Sequence, residues 1–151
     1  MQDPKGMIDI SGKKITLRTA TASGTVFLGR EPFEILRQGQ CAKGNVLETA
    51  KIAAINAVKA TPSMIPMCHF INIEAISVEF TLDENEKSVY VKITVKSTGK
   101  TGVEMEALSG VSVACLTIYD MLKYKGRDML INQIKLLEKT GGKSGDFKRK
   151  N

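Results

Sequence analysis

The longest helical pattern in the chain lies in residues 101–123. It runs without proline from the turn-forming residues 97–99 to Gly126, and its apolar residues recur at intervals of three and four. The pattern predicts one helix of about six turns that ends near Gly126. Its middle is nearly uncharged and rich in small residues, which let another backbone come close, so we expect it at the centre of the core. Its charged residues lie near the two ends, where we look for chemistry.

The rest of the chain mixes helices and strands without strict alternation. Alternating or β-prone segments predict strands over residues 15–28, 73–81, 88–96 and 129–138. A short helix is predicted over residues 31–39, and another over residues 46–60, with Asn45 as its cap and Pro62 as its stop. This order predicts an α+β fold with helices on one face of an antiparallel sheet.

Length and composition indicate one globular domain. The chain has 151 residues, enough to bury a sizeable core, and no apolar run approaches the roughly 20 residues of a membrane span. We expect residues 1–6 to be a flexible leader without a signal-peptide core, residues 7–147 to be the domain, and residues 148–151 to be a basic tail. We therefore expect a cytoplasmic protein that does not bind a membrane.

Cysteine and histidine usage argues against a metal site. Cys41, Cys68 and Cys115 are odd in number and widely spaced, which fits neither a disulfide framework nor a zinc pattern, so we expect reduced thiols. The only histidine, His69, directly follows Cys68, and two adjacent ligands without further cysteine or histidine make a poor zinc site.

The net charge of +6 favours an anionic partner, either nucleic acid or a small phosphorylated molecule. Nucleic acid is the weaker candidate, because the chain has few aromatic side chains, no RNA-binding signature and no helix with a basic face. Lys43 stands just before a helix N-terminus, where the helix dipole attracts anions, although such a lysine is more often only solvated.

The glycine-rich segment near the C-terminus resembles part of a phosphate loop. Gly142, Lys143 and Ser144 match the end of the Walker pattern, but Leu137 occupies the position of its first glycine and no helix pattern follows. A P-loop is therefore excluded. Two alternatives remain open, a flexible flap that cradles phosphate with glycine N–H groups, Lys139 and Lys143, and a disordered basic terminus.

Six ordered blocks carry a resemblance to a known family. They are MIDIS at residues 7–11, KG at 43–44, IPMCH at 65–69, TGKTGVEMEAL at 98–108, LTIYDM at 116–121 and LLEKTGGKSGD at 136–146. With these blocks the chain resembles the molybdenum cofactor biosynthesis protein C (MoaC) family, the cyclic pyranopterin monophosphate synthases, from about Met7 to Phe147. The family usually has Leu-Cys-His-Pro where this chain has Met67-Cys68-His69-Phe70, so Phe70 replaces a rigid proline.

The resemblance implies a ferredoxin-like α+β subunit, a hexamer built from dimers, and an active site between subunits. It implies a lyase in molybdenum cofactor biosynthesis whose substrate is a cyclised dihydroguanosine triphosphate, made from GTP and handed over by a radical SAM enzyme. The product is cyclic pyranopterin monophosphate, and pyrophosphate is released. The resemblance implies no cofactor, although Mg²⁺ can accompany the triphosphate. The alternative is a non-catalytic protein that binds nucleotide or nucleic acid.

The same resemblance assigns the site residues by motif position. It implies that the catalytic residues are Asp120, Lys123 and Lys43. The implied substrate-binding residues are Met67, Cys68, His69, Met105, Glu106, Glu104, Arg18 and Lys139. The residue types suit the chemistry: ring opening and closing needs proton transfers, a triphosphate needs cations, and carboxylates suit the donor-rich edge of a guanine-like ring.

The spacing of these residues along the long helix predicts a site built from two chains. Asp120 and Lys123 are three residues apart on one helix face, so the carboxylate can orient the lysine, although a simple surface ion pair is the alternative. Glu106 and Asp120, however, are separated by about 21 Å along the axis. If both serve one pocket, a second copy of the helix must run antiparallel beside the first. We expect five small residues to allow that approach: Ala107, Ser109, Gly110, Ser112 and Ala114. The alternative is that the acids are only helix-capping charges and each chain works alone.

Overall fold

The computed structural model describes residues 5–151, so residues 1–4 of the predicted leader lie outside the described part. Its strands are β1 (Thr16–Phe27), β2 (Ile73–Asp83), β3 (Ser88–Gly99), β4 (Leu130–Thr140) and β5 (Phe147–Lys148). Its α-helices are α1 (Arg30–Gln38), α2 (Val46–Met64) and α3 (Glu104–Leu122), and a 3-10 turn, Lys123–Lys125, follows α3.

The strands form one antiparallel sheet in the order β2-β3-β1-β4-β5. Strand β1 is central, and its residues Ala20, Ala22 and Val26 are fully buried beneath the helices. Gly24 lies among them, and a Cβ there would lie 2.7 Å from a methyl of Val111 in α3, which explains the need for glycine. The order of the first four strands, with helices packed on the sheet, is the ferredoxin-like α+β fold, so the predicted fold class is confirmed.

Helix α3 forms the centre of the core, as its sequence predicts, packing on α2 and on strands β1, β3 and β4. Its closest contact is at Gly110, where a Cβ would lie 2.8 Å from a methyl of Val58 in α2. By length and composition alone, Glu104–Lys125 could cross a membrane, contrary to the expectation from its lack of a long apolar run. Half of this segment is buried inside the fold, and core helices meet the same criterion, so it is weak evidence for a span.

The small residues of α3 are used differently from the prediction. Ala107, Gly110 and Ala114 are buried within their own chain, so they cannot also form a contact surface for a second copy. Ser109 and Ser112 remain partly exposed, on the side of α3 that carries its exposed residues and is here called the open face. The prediction for the three buried residues is wrong because their own chain covers them, and at Gly110 the covering residues are Val58 of α2 and Ile93 of β3.

Pro62 does not stop α2, which continues to Met64. Proline removes only its own N–H bond, and the last turn is held by other groups. The buried Thr61 hydroxyl donates to the Ala57 carbonyl at 2.8 Å, and the Ile65 N–H donates to the Thr61 carbonyl at 2.9 Å. Burial of Thr61 therefore outweighs the local effect of proline, and the helix ends four residues later than predicted.

Candidate active site

Three predicted catalytic residues meet at the C-terminal end of α3. The Lys123 ammonium lies 2.8 Å from Oδ1 of Asp120, and the Lys43 ammonium lies 3.3 Å from Oδ2. Lys43 also donates to the backbone carbonyl of Asp120 at 2.9 Å. All three side chains are about half exposed, so the cluster faces open space on one side. One carboxylate thus holds two ammonium groups at a surface that a substrate can reach.

The charges of this cluster are coupled. The hydrogen bond from Lys123, with a second one from Lys43, holds the pKa of Asp120 below its ordinary value. The same hydrogen bond raises the pKa of Lys123, because the carboxylate favours the charged ammonium. At neutral pH the resting arrangement is therefore an ionised Asp120 beside a protonated Lys123, which suits donation of a proton more than removal of one.

Lys43 reaches Asp120 because its loop is tied to α3. The Gly44 N–H donates to the Cys41 carbonyl at 3.1 Å, with Gly44 at φ 111°, so residues 41–44 form a tight turn. The Cys41 thiol donates to the Met121 carbonyl at 3.3 Å, and the Ala42 N–H donates to the Tyr124 hydroxyl at 2.9 Å. The sequence analysis missed Tyr124, because the sequence gives no indication that an exposed tyrosine accepts a hydrogen bond from a residue 82 positions earlier.

A second group of predicted residues surrounds a cavity of about 290 Å³ at the N-terminal end of α3. Its lining includes six of the predicted substrate-binding residues: Met67, Cys68, His69, Glu104, Met105 and Glu106. Residues 6–13, here called the N-terminal strap, close one side with Gly6, Ile8, Ile10 and Lys13. Lys13 is a lining cation that the sequence analysis did not single out, since only the path of the strap brings it there.

Glu106 is the most unusual group in this cavity. Its side chain is only 2% exposed, and its Oε1 atom has no hydrogen-bond partner within the described residues. Burial raises the pKa of Glu106, and the nearby Glu104 carboxylate adds to the shift. Burial likewise raises the pKa of Cys68, which keeps its thiol neutral. The cavity thus contains an unsatisfied carboxylate oxygen, which can accept a hydrogen bond from a bound ring.

Arg18 and Lys139 lie beside the same end of α3. The Lys139 ammonium is 3.7 Å from a Glu104 carboxylate oxygen and donates to the Ser144 hydroxyl at 2.7 Å. Arg18 is nearly buried, and a Cβ on Gly142 would collide with its guanidinium group. The glycine-rich segment therefore folds over Arg18. Lys139 belongs to β4, which runs to Thr140 and pairs with β5, and no helix follows Ser144 among the described residues.

The predicted site residues thus form two groups within one chain. Asp120, Lys123 and Lys43 lie at one end of α3, and the remaining eight lie at or near the other. The helix rise places Glu106 and Asp120 about 21 Å apart, which is longer than one nucleotide-sized ligand can easily bridge.

The MoaC family model matches residues 7–142, which is most of the chain. The chain belongs to the MoaC family. The resemblance carried by the six sequence blocks is therefore confirmed.

Curated relatives of this MoaC family member agree closely in length. Two are 50% and 47% identical, from Heliobacterium modesticaldum and Parvibaculum lavamentivorans, and the matches cover 97% and 98% of this chain and 94% of each relative. A third, from Peptoclostridium acidaminophilum, is 48% identical over 95% of this chain and 90% of its own. All three are named cyclic pyranopterin monophosphate synthase. These names confirm the enzyme that the sequence predicted.

In this MoaC fold we expect that Glu106→Gln stabilises the chain. Because the pKa of Glu106 is raised on folding, the native state loses stability as the pH rises from the ordinary carboxyl range through the folded value. Glutamine removes the charge, so the free energy of unfolding at neutral pH should be higher in Glu106→Gln than in the unaltered protein. Thermal unfolding of both proteins across pH 3 to 8 measures this, and the difference should vanish at the acidic end.

Glu104→Gln is the matched control, because Glu104 is more exposed and paired with Lys139. Glu104→Gln should give no comparable increase in the free energy of unfolding. Equal stabilisation by both variants, or a gain that persists when Glu106 is protonated, would show that burial of the Glu106 charge is not the cause.

Proposed function

We propose that this chain is a cyclic pyranopterin monophosphate synthase of molybdenum cofactor biosynthesis. It rearranges a cyclised dihydroguanosine triphosphate to cyclic pyranopterin monophosphate and releases pyrophosphate by acid–base catalysis. The observation that carries the proposal is the cluster of Asp120 with Lys43 and Lys123, in a chain that matches the MoaC family over residues 7–142. This cluster supplies two charged proton donors held by one carboxylate, which is what repeated proton transfer requires.

The cavity at the other end of α3 has groups for the ring of the substrate. Glu106 offers a buried acceptor, Glu104 a second one, and the side chains of Met67 and Met105 offer apolar contact. His69 and Cys68 complete this part of the lining. A carboxylate pair of this kind suits the N–H groups of a guanine-like ring better than it suits phosphate, which carries the same charge.

The cations near this cavity suit the triphosphate. Arg18 and Lys139 lie next to the glycine-rich segment, in which the Gly141 and Gly145 N–H groups already donate to Asp146 and to the Gly142 carbonyl. Arginine and lysine bind phosphate oxygens by charge-assisted hydrogen bonds. No resident cofactor enters this proposal, and Mg²⁺ can arrive bound to the triphosphate.

The working enzyme, in this proposal, is a homo-oligomer, a hexamer built from dimers, with each site shared by two chains. The separation of the two residue groups along α3 supports a site that is shared between two chains. A second, antiparallel α3 would bring Glu106 of one copy toward Asp120 of the other. The open face of α3 also exposes apolar side chains, including Leu116 and Met105, 59% and 38% exposed. A radical SAM enzyme would supply the substrate, and the setting would be the cytoplasm.

The direct test is to incubate the purified protein with the cyclised GTP intermediate and to follow pyrophosphate and pterin fluorescence. Both products should appear together. The rival function, binding without catalysis, predicts that the intermediate binds but that neither product forms. Asp120→Asn, which keeps the side-chain shape but removes the charge, provides the inactive control.

Binding of the triphosphate should weaken as the salt concentration rises, because dissolved ions screen the attraction between the phosphates and the protein cations, least at the nearly buried Arg18. Arg18→Ala, Lys43→Ala and Lys139→Ala should each reduce the affinity by about tenfold or more, the value of a charge-assisted hydrogen bond. Titration calorimetry at several salt concentrations measures both effects.

Lys51→Ala serves as the charge-matched control, because Lys51 is an exposed residue of α2. The affinity of the Lys51→Ala variant for the triphosphate should stay close to that of the unaltered protein. If binding does not depend on salt, or if Lys51→Ala is as harmful as the other three variants, the anion pocket is wrongly assigned.

A further inference from the structure

The N-terminal strap, residues 6–13, is held over the cavity by two long-range hydrogen bonds. Nε2 of His69 lies 2.8 Å from the carbonyl oxygen of Ile8, and the Lys100 ammonium donates to the Ser11 carbonyl at 2.9 Å. Met7 and Ile8 are 50% and 75% exposed, and Ile10 is the partly buried apolar residue of the strap. The two polar contacts therefore supplement the limited burial of Ile10 in tying the strap to the cavity.

The strap is also shaped locally for this position. Oδ1 of Asp9 accepts from the Ser11 N–H at 2.8 Å, and the Lys13 N–H donates to the Ile10 carbonyl at 3.0 Å. Two successive turns thus point the Ile8 and Ser11 carbonyls at their partners. The chain loses less conformational entropy when such a preshaped segment docks than when a random segment does.

The contact with Ile8 determines which ring nitrogen of His69 carries a proton. A carbonyl oxygen can only accept a hydrogen bond, so Nε2 must donate, and in the neutral imidazole Nδ1 is then an acceptor. His69 and Ile8 both line the cavity beside Glu106. The strap and the imidazole therefore belong to one unit.

We propose that the N-terminal strap is a positioning element of the substrate cavity, in which the Ile8 carbonyl fixes His69 as the Nε2–H tautomer and leaves Nδ1 to accept a hydrogen bond from the substrate. Lys100 contributes from outside the cavity by anchoring the strap. The role of the substrate in this inference rests on the proposed function, whereas the state of His69 does not.

The state of His69 can be observed directly, because the chain contains only one histidine. Any histidine tag is removed, the full chain is labelled with ¹⁵N, and long-range ¹H–¹⁵N spectra are recorded at alkaline pH, where imidazoles are neutral. We expect a bare Nδ1 and a visible Nε2 proton that is protected from exchange by its hydrogen bond. The Nδ1–H tautomer, or the absence of a protected ring proton, overturns the proposal.

Lys100→Ala tests the positioning role without altering the cavity lining. It should abolish the protected ring proton and raise KM about two- to tenfold, the range for one hydrogen bond, with kcat changed less than about twofold. Lys96→Ala also deletes one positive charge, from an exposed position in β3, and should change neither the ring proton nor KM. An equal rise in KM for both variants would mean that charge, and not the strap, is responsible.

A double-mutant cycle separates action through His69 from a general effect on stability. In a His69→Ala background, Lys100→Ala should have no further effect on KM, because the residue it positions is gone. Additive effects overturn the proposal. A protected Nε2 proton in a chain without any turnover would support the strap while rejecting the proposed enzyme function, so the two failures are distinguishable.

Discussion

Asp120→Ala and Lys123→Ala should each reduce turnover by about 100- to 10,000-fold, the usual contribution of a general acid or base. Both side chains are about half exposed at the end of α3, outside the buried core, so the fold should be retained. Loss of Asp120 leaves Lys43 and Lys123 without their shared carboxylate, and it removes the hydrogen bond that raises the pKa of Lys123. Steady-state pyrophosphate release, with thermal unfolding of each variant, measures both effects.

Lys125→Ala is a suitable control for these two variants. Lys125 is exposed in the turn after α3. Its ammonium lies 3.6 Å from a carboxylate oxygen of Glu31, and its ion pair does not involve Asp120. It should keep near-normal turnover. Normal turnover by Asp120→Ala or Lys123→Ala, with an unchanged melting temperature, would remove the cluster from the catalytic site.

Mixing two inactive variants should restore part of the activity if the site is shared between chains. Glu106→Ala removes the buried carboxylate of the cavity, and Asp120→Ala removes the carboxylate at the far end of the same helix, about 21 Å away. In a mixed dimer, one of the two symmetric sites would receive Glu106 from one chain and Asp120 from the other, both intact. Activity of the co-assembled variants should therefore rise from near zero to a measurable fraction of normal.

The composition of the mixed oligomers must be verified, for example with two distinguishable purification tags. A chain carrying both substitutions, mixed with either single variant, provides the matched control, because no site then receives both carboxylates. No recovery in verified mixed oligomers, or full activity of a verified monomer, would refute the shared site. Recovery in the control mixture would point to subunit contamination instead.

Local sequence patterns predicted the elements that depend on neighbouring residues. The three- and four-residue spacing in residues 101–123 predicted α3, and the alternation in residues 73–81 and 88–96 predicted β2 and β3. The side-by-side placement of Asp120 and Lys123 also followed from helix geometry. These features could be predicted because each depends on residues only a few positions apart.

Other features depended on tertiary packing and could not be predicted from local patterns. Pro62 was expected to end α2, yet burial of Thr61 carries the helix through it. Three small residues of α3 were expected to face a second copy, yet they are buried within their own chain. The local cost of proline inside a helix is about 3 kcal/mol, which packing of a buried face can outweigh, and the side of α3 that is covered depends on how distant elements pack.

The sequence by itself determined the family, the element types and the residues that carry charge at the two ends of α3. Only the tertiary structure decided that Lys43 meets Asp120 from 77 positions away and that His69 meets the Ile8 carbonyl from 61 positions away. The physical reason is that periodicity encodes which face of an element is buried, whereas a contact between distant segments depends on how all the buried faces pack together.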